Sequence, residues 1–322
     1  MNRTTRPTRA QTAGRRPSGL VSSTTTLLAT TALLLLSACG GGAADGGAPA
    51  PAGAAPAASA ATAHAVVPEA AALVPEAAKT KGTLTVATGE GYPPFEFYAE
   101  DNTTLQGVDP EIATAVAQSL GLQPELQVLK FDGVIPGLQG GRYDVAAIAM
   151  GITPARNKVV DFVSYFQGGT SIMYPAGNPL GLTLDTMCGH TIAVQQGTIY
   201  ATDYLPTFIK ACTDGGQPTI NVSTYPDQPA ATLAVSSGRA DATIGDFGPF
   251  AYVAQQSNGK FEVLDANYSP APYGLAVPKG SELAPAIEKA LEALVADGTY
   301  AKTLEKWGVS AGAIKDPAVT RG

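Results

Sequence analysis

The stretch VDPEIATAVAQSLGLQPELQV, residues 108–128, sets the fold class of the chain. Asp109 and Pro110 are typical of the N-cap and the first residue of a helix. Apolar residues follow at helical spacing, at Ile112, Val116 and Leu120, and Gly121 ends the pattern. Residues 126–129 then predict a strand, because short apolar runs between turn residues are typical of strands. The stretch therefore indicates a helix followed by a strand of an α/β protein.

Strands and helices alternate on both sides of this stretch. Residues 83–87 and 145–148 predict strands, and residues 131–139 predict a helix. This order indicates a parallel sheet covered by helices. A second series of strands and helices occupies residues 191–244, and two amphipathic helices follow near the C-terminus.

Two glycine-containing extended segments, residues 168–173 and 271–275, suggest that the chain leaves one lobe and later returns to it. We predict two α/β lobes joined by two crossover strands, with a cleft between them. Lobe 1 comprises residues 80–168 and 273–322, and lobe 2 comprises residues 169–272.

The first 38 residues have the pattern of an export signal. Arginines without any acid precede an apolar stretch from Leu20 to Leu36, which is short for a transmembrane helix. The stretch ends in Leu36-Ser37-Ala38-Cys39-Gly40, which resembles a bacterial lipobox, so Cys39 is predicted to carry a lipid. The alternative is an ordinary signal peptide with an incidental cysteine. Residues 39–79 are rich in Ala, Gly and Pro without aromatic residues, and we predict that they form a disordered tether.

The charge and the cysteines limit the function classes. The chain carries 27 acidic residues against 20 Lys and Arg, which argues against nucleic-acid binding. With only His64 and His190, neither a His-rich metal site nor a His-based catalytic triad is expected. Once Cys39 is assigned to the lipid, Cys188 and Cys212 remain, and an even pair in an exported protein predicts a disulfide. Two buried thiols are the alternative.

Several motifs in order along the chain resemble one family. They are GYPPFEF at 91–97, QGVD at 106–109, GRYD at 141–144, GITPAR at 151–156, AVQQGT at 193–198, GRADA at 238–242 and YGLAVPKG at 273–280. Together they are similar to solute-binding protein family 3, the amino-acid receptors of ABC importers, over residues 81–310. The resemblance implies a periplasmic binding protein-like type II fold without enzymatic activity, cofactor or metal.

A free amino acid presents a carboxylate and an ammonium, and two residues suit these groups. Arg156 offers a planar fork for a carboxylate, and the resemblance gives it that role. Asp246 follows a predicted strand at its carboxyl end, and the resemblance assigns it the ammonium. The alternatives are an ion pair of Arg156 with Asp161 or Asp144, and a helix-capping role for Asp246.

The resemblance implies further ligand-binding residues. Tyr92 and Phe131 match aromatic positions that sandwich the aliphatic part of the ligand, with core packing as the alternative. Positions that offer backbone or loop groups are matched by Ala149, Gly151, Gly197, Thr198 and Ile199. Gln195 can form a hydrogen bond with a polar side chain of the ligand, and Tyr200 lies close by in the sequence. Basic-amino-acid receptors often place an acid where this chain has Gly89, and Glu90 is one residue away, so a polar uncharged amino acid is predicted. A more hydrophobic amino acid and a modified zwitterion are the alternatives.

The resemblance also implies the partners. We expect a monomer that binds a free amino acid, contacts ABC permease subunits, and is held by its lipid at the outer face of the cytoplasmic membrane or in the periplasm. Two alternatives stay open. One is a ligand-binding sensor for a signalling partner, and the other is a dehydratase-like enzyme on the same fold, with Glu90 as its candidate acid.

Overall fold

A computed structural model describes residues 57–58, 64–265 and 268–322 of the chain. The strands are β1 (Ala57–Ala58), β2 (Thr83–Thr88), β3 (Phe97–Tyr98), β4 (Thr104–Gln106), β5 (Gln123–Val128), β6 (Val145–Ala146), β7 (Val160–Pro175), β8 (Thr191–Gln195), β9 (Asn221–Tyr225), β10 (Ala242–Asp246), β11 (Phe261–Val263), β12 (Tyr268–Pro278) and β13 (Val319–Thr320). The α-helices are α1 (Pro68–Ala72), α2 (Glu76–Lys81), α3 (Val108–Ser119), α4 (Val134–Gln139), α5 (Pro154–Asn157), α6 (Leu205–Asp214), α7 (Gln228–Ser236), α8 (Phe247–Gln256), α9 (Ala284–Ala296) and α10 (Thr299–Lys306). A π-helical turn, Tyr200–Tyr204, precedes α6.

A ten-stranded sheet runs through the molecule, with the main order β5-β2-β6-β12-β7-β10-β8-β9. At one end β5, β2 and β6 are parallel, and at the other end β10, β8 and β9 are parallel. The central strands β7 and β12 pair antiparallel with each other and connect the two parallel sets. This order confirms the mixed α/β class and the two crossover strands.

Each parallel set has its own apolar core. Leu84, Ile112 and Leu291 are buried in the core built on β2, α3 and α9. Ile192 and Ile244 are buried in a separate core built on β8, α6 and β10. Because each parallel set of strands is covered by its own helices, the two cores define two lobes. The predicted divisions near residues 168 and 272 fall inside the continuous strands β7 and β12.

The predicted disordered tether is wrong for residues 64–79, which include α1 and most of α2. Ala70 and Val74 are buried against the lobe 1 core, and the Val67 N–H donates to the Ser119 carbonyl at 2.9 Å. His64 Nε2 lies 2.8 Å from Asp297 Oδ2. A few small apolar side chains suffice here because they complete an existing core instead of building their own.

The export signal and Cys39 lie outside the described residues. Among the described helices, none is long and apolar enough to cross a membrane. Cys188 and Cys212 are joined in a disulfide, which confirms that prediction. The bond fastens the loop before β8 to α6, and thereby fixes the helix that follows Tyr200.

Candidate functional site

A cavity of about 700 Å³, its open mouth included, lies between the two lobes. Of the residues predicted to bind ligand, all except Gly197 line it: Tyr92, Phe131, Ala149, Gly151, Arg156, Gln195, Thr198, Ile199 and Asp246. The cavity wall also includes residues that the sequence analysis did not assign to the site, among them Glu96, Lys130, Tyr200, Asp227, Gln228 and Tyr273.

Arg156 reaches the cavity from the short helix α5. Thr153 is the N-cap of this helix and Pro154 its first residue, as predicted, and Thr153 Oγ1 accepts from the Arg156 N–H at 3.1 Å. The guanidinium donates from Nη1 to the Gly151 carbonyl at 2.7 Å and from Nη2 to the Gly197 carbonyl at 3.0 Å. Because a guanidinium carries five N–H donors, donors remain for a carboxylate.

The guanidinium also lies over an aromatic ring. Arg156 Cζ is 5.4 Å from the centroid of the Phe131 ring, within the range of a cation–π contact. The alternative ion pairs of Arg156 are excluded by the partners of the two acids. Asp161 Oδ1 lies 2.8 Å from Lys279 Nζ, and Asp144 Oδ2 lies 2.7 Å from Lys81 Nζ.

Asp246 ends β10 and enters the cavity from lobe 2. It occupies the N-cap position of α8, but its side chain makes no capping hydrogen bond, so the capping alternative is wrong. Its carboxylate instead accepts hydrogen bonds from the hydroxyl groups of Tyr92, Tyr200 and Tyr273, the bond from Tyr200 to Oδ1 being 2.5 Å long. A carboxylate accepts about four hydrogen bonds, so one position remains for a further donor.

Burial is the main influence on the charge of Asp246, which is only 6% exposed. Burial raises the pKa of this carboxyl above its ordinary value, whereas the three hydroxyl donors and the Arg156 charge act in the opposite direction. A cationic group at the remaining position would favour the ionised form, because it would offset part of the cost of burying the charge.

Tyr273 is a functional candidate that the sequence analysis missed, and the hydrogen bond of Tyr200 to Asp246 was missed as well. Tyr273 lies on β12, where Gly168 of β7 leaves room for its ring, since a Cβ at Gly168 would overlap the phenol. The sequence signal that could have identified Tyr273 is a glycine in one predicted crossover segment and a tyrosine in the other. Tyr200 sits in the π-helical turn, whose unusual geometry sequence periodicity does not reveal.

Asp109 does not cap α3, contrary to the sequence prediction. Gly107, with φ of 126°, is the N-cap, and Asp109 lies inside the helix. Its carboxylate accepts from the Ala149 N–H and from the Tyr165 hydroxyl, each at 2.5 Å. Ala149 has φ of 43°, a left-handed conformation that is unfavourable for alanine, so this bond holds a strained cavity residue in place.

The lobe 2 loop brings Gln195 and Thr198 to the cavity wall, with Gly197 between them in the chain. Thr198 Oγ1 donates to the Gln195 carbonyl at 2.8 Å, which closes the turn after β8. Gly197 has φ of 77°, and a Cβ there would lie 3.2 Å from the Cβ of Asp132 in lobe 1. A side chain at Gly197 would therefore obstruct both the turn and the approach of the lobes.

A charged group at the mouth connects the lobes. Lys130 Nζ of lobe 1 lies 3.0 Å from Asp227 Oδ2 of lobe 2 and 3.6 Å from Glu90 Oε1. The Glu90 carboxylate, the candidate acid of the dehydratase-like alternative, therefore faces a lysine at the rim of the cavity. Within residues 64–265 and 268–322, no group of three or more His, Cys, Asp or Glu is placed to hold a metal ion.

The fold agrees with comparisons to known proteins. The model of the bacterial extracellular solute-binding proteins, family 3, matches residues 84–310. The chain belongs to this family. It is 29% identical over 239 residues to the arginine-binding protein ArgT of Corynebacterium glutamicum, covering 74% of this chain and 78% of that protein.

Solved structures of amino-acid-binding proteins are also similar to the chain. This family member resembles an ancestral arginine-binding protein bound to arginine, with 38% identity, a TM-score of 0.64, and coverage of 70% of this chain and 98% of the other. It also resembles an ancestral arginine-binding protein bound to glutamine, with 37% identity, a TM-score of 0.64, and coverage of 71% and 98%. The chain therefore has the two-lobed periplasmic binding protein-like fold of amino-acid-binding proteins, which confirms the predicted family and fold.

Proposed function

We propose that the chain is the extracytoplasmic substrate-binding component of an ABC importer, and that it binds a free amino acid between Arg156 and Asp246. One observation carries the proposal. A cation of lobe 1 and an anion of lobe 2 line the same cavity, and each has unused hydrogen-bonding capacity there. An amino acid supplies the complementary carboxylate and ammonium, so bound ligand would join the lobes and favour the closed state.

The cavity supports a specific placement of the ligand. The carboxylate would accept the free N–H groups of Arg156, and the ammonium would take the remaining position on Asp246. The Tyr92 hydroxyl and the Phe131 ring already contact Asp246 and Arg156, respectively, so both aromatic residues lie beside the charges that the ligand meets. Burial of the ligand against these rings would strengthen both ion pairs by excluding water.

For the side chain we propose a polar uncharged group, such as that of glutamine. Glu90 and Asp227 are the acids at the mouth, and both already face Lys130. Gln195 and Gln228 line the same wall and offer amide groups. An arginine side chain would have to compete with Lys130 for these acids, whereas an amide side chain would not. The named arginine-binding relatives make arginine the ligand to compare.

We further propose delivery to a membrane permease, with Cys39 as the lipid attachment point and the chain acting as a monomer. The family membership and the motif at residues 36–40 support this. Intact-mass measurement of protein from the native host tests the anchor. A mature chain beginning at Cys39 with added acyl mass is expected, and an unmodified Cys39 would contradict it.

Isothermal titration against a panel of amino acids tests the binding proposal. Wild-type protein should bind at least one free amino acid, and glutamine more tightly than arginine. Arg156→Ala should abolish binding while the protein remains folded. Arg142→Ala is the matched control, because Arg142 is exposed and lies over Tyr143 away from the cavity. Unchanged affinity in Arg156→Ala would refute the site, and preference for arginine would refute the side-chain proposal alone.

A further inference from the structure

Glu96 is a carboxyl group for which the proposed binding reaction gives no role. It is 3% exposed, lines the cavity, and has an Oε2 atom without a hydrogen-bond donor in the described part of the protein. Leaving a buried charged oxygen unsatisfied costs several kcal/mol, so its environment needs an explanation.

The backbone brings Glu96 beside Asp109. The Val108 N–H donates to the Pro94 carbonyl at 3.0 Å, and the Asp109 N–H donates to the Phe95 carbonyl at 2.9 Å. The start of α3 is thereby fastened to the segment that contains Glu96, and the two buried carboxyl groups lie close enough for the charge of Asp109 to raise the pKa of Glu96.

No cation neutralises this pair. Neither Glu96 nor Asp109 takes part in any ion pair among the described residues. Two buried carboxylates in contact repel each other strongly, so such a pair normally shares one proton. The shared proton is bonded to either Glu96 or Asp109.

The hydrogen bonds of Asp109 and Glu96 indicate which of the two carboxyl groups carries the proton. Asp109 already accepts from the Ala149 N–H and the Tyr165 hydroxyl, as an ionised carboxylate does. Glu96 has no donor at Oε2. A proton on Glu96 that is donated to Asp109 satisfies the unpaired oxygen and adds a third donor to Asp109. It also removes the repulsion.

We propose that Glu96 is a neutral carboxylic acid near neutral pH, and that it is a positioning residue whose O–H donates to Asp109 and so fixes the backbone of Ala149 in the cavity wall. The part that concerns ligand rests on the proposed amino-acid binding. Because this proton points to Asp109, Glu96 adds no negative charge to the cavity, which suits an uncharged ligand side chain.

Burial and the two neighbouring acids all favour the protonated form of Glu96. Burial raises its pKa most, and the charges of Asp109 on α3 and Asp246 on β10 raise it further. Tyr165 on β7 faces the same pair, and its own pKa is raised. The folded protein therefore holds this proton at pH values where the unfolded chain, with an ordinary value of 4.5, has lost it. Stability consequently falls as pH rises above that value, because the folded state binds more protons.

Carbon-13 NMR of protein labelled only at glutamate side-chain carboxyls tests the proposal directly, since aspartates give no signal. In wild-type protein, one glutamate should stay protonated near pH 7, while ordinary glutamates titrate near their usual value of 4.5. That signal should disappear in Glu96→Gln. It should persist in the matched control Glu125→Gln, which changes an exposed glutamate on β5. Titration of every glutamate in the ordinary range would overturn the proposal, as would survival of the protonated signal in Glu96→Gln.

Two further measurements test the positioning role. Glutamine keeps a neutral donor at residue 96, so Glu96→Gln should retain affinity within about threefold, a change of under 1 kcal/mol. Its stability should also fall less with rising pH than that of wild type. Glu96→Ala lacks the donor and should bind more weakly than Glu96→Gln. Equal affinities of these two variants would refute the positioning role.

The NMR outcome does not depend on ligand. If no amino acid binds wild-type protein, the proposed function fails, but the protonated Glu96 stands or falls by its own signal. If Glu96→Gln does not fold, the wild-type spectrum still decides, because the absence of any glutamate protonated near neutral pH would refute the proposal.

Discussion

Replacement of Asp246 by asparagine separates ligand binding from stability, because the two should respond in different directions. The substitution keeps the size of the side chain and removes its charge. Each of the three tyrosine hydroxyls that donate to Asp246 can also accept a hydrogen bond, so they can reorient toward the amide. We therefore expect Asp246→Asn to fold.

The expected loss of affinity follows from the lost ion pair. A hydrogen bond to a charged group contributes about 1.5–3 kcal/mol, and each 1.4 kcal/mol is tenfold in affinity, so glutamine should bind about 10- to 100-fold more weakly. Glutaramic acid, which is glutamine without its α-amine, has no ammonium to lose. Its affinity should change much less, which distinguishes a direct contact from general damage to the cavity.

The stability of Asp246→Asn should behave in the opposite way. Burial raises the pKa of Asp246, so the folded protein binds this proton more tightly than the unfolded chain. The free energy of unfolding thus falls as pH rises above the ordinary value of 3.8, and asparagine removes this decline. Near pH 7 the variant should be at least as stable as wild type.

Titration calorimetry and urea unfolding measure these two quantities in one set of proteins. Asp185→Asn is the control, because Asp185 is an exposed acid of lobe 2 outside the cavity wall. Equal losses of affinity for glutamine and glutaramic acid would refute the ammonium contact. A steep loss of stability near neutral pH would show that the charge of Asp246 supports the fold instead of opposing it.

Three further outcomes are expected. Amino-acid affinity should fall as pH is lowered through the raised pKa of Asp246, because the protonated carboxyl no longer pairs with an ammonium. Calorimetric affinities that stay constant between about pH 4 and pH 8 would contradict this. Lys130→Gln removes the ion pair across the mouth, and because exposed pairs contribute up to about 1 kcal/mol, ligand should dissociate up to about fivefold faster in stopped-flow measurements. An unchanged rate at low salt would argue against a closing role. Reduction of Cys188–Cys212 removes a link between residues 24 apart and should lower stability by roughly 3 kcal/mol in denaturant titrations; identical midpoints before and after reduction would exclude it.

The sequence predicted the regular parts of the fold because their signals are local. The strand predicted at residues 83–87 corresponds to β2, and the two amphipathic helices predicted near the C-terminus correspond to α9 and α10. Alternation and helical periodicity report which faces of these elements are buried. The continuous strands β7 and β12 were harder to foresee, because glycines inside them resemble chain breaks.

Long-range partners could not be predicted from the local pattern. The Asp-Pro pair at residues 109–110 is typical of a helix start, yet Asp109 bonds Ala149 and Tyr165, which are distant in sequence. Arg156 and Asp246 were found because the resemblance marks them. Tyr273, Glu96 and the hydrogen bond of Tyr200 to Asp246 were missed because their importance arises from neighbours that only the folded chain provides.

The pairing of β7 with β12 has a mechanical consequence for any movement of the lobes. The two strands are hydrogen-bonded to each other from Thr170 and Tyr268 to Val160 and Pro278, and both continue into each lobe. A swivel of one lobe would therefore flex two coupled strands together. The pairing of β12 with β7 changes register between Tyr268 and Ala271 and again between Tyr273 and Gly274. The pair of strands should therefore bend most easily beside Tyr273, whose hydroxyl group donates to Asp246. Bending these strands would displace that hydroxyl group, so the angle between the lobes and the polarity around the buried acid should change together.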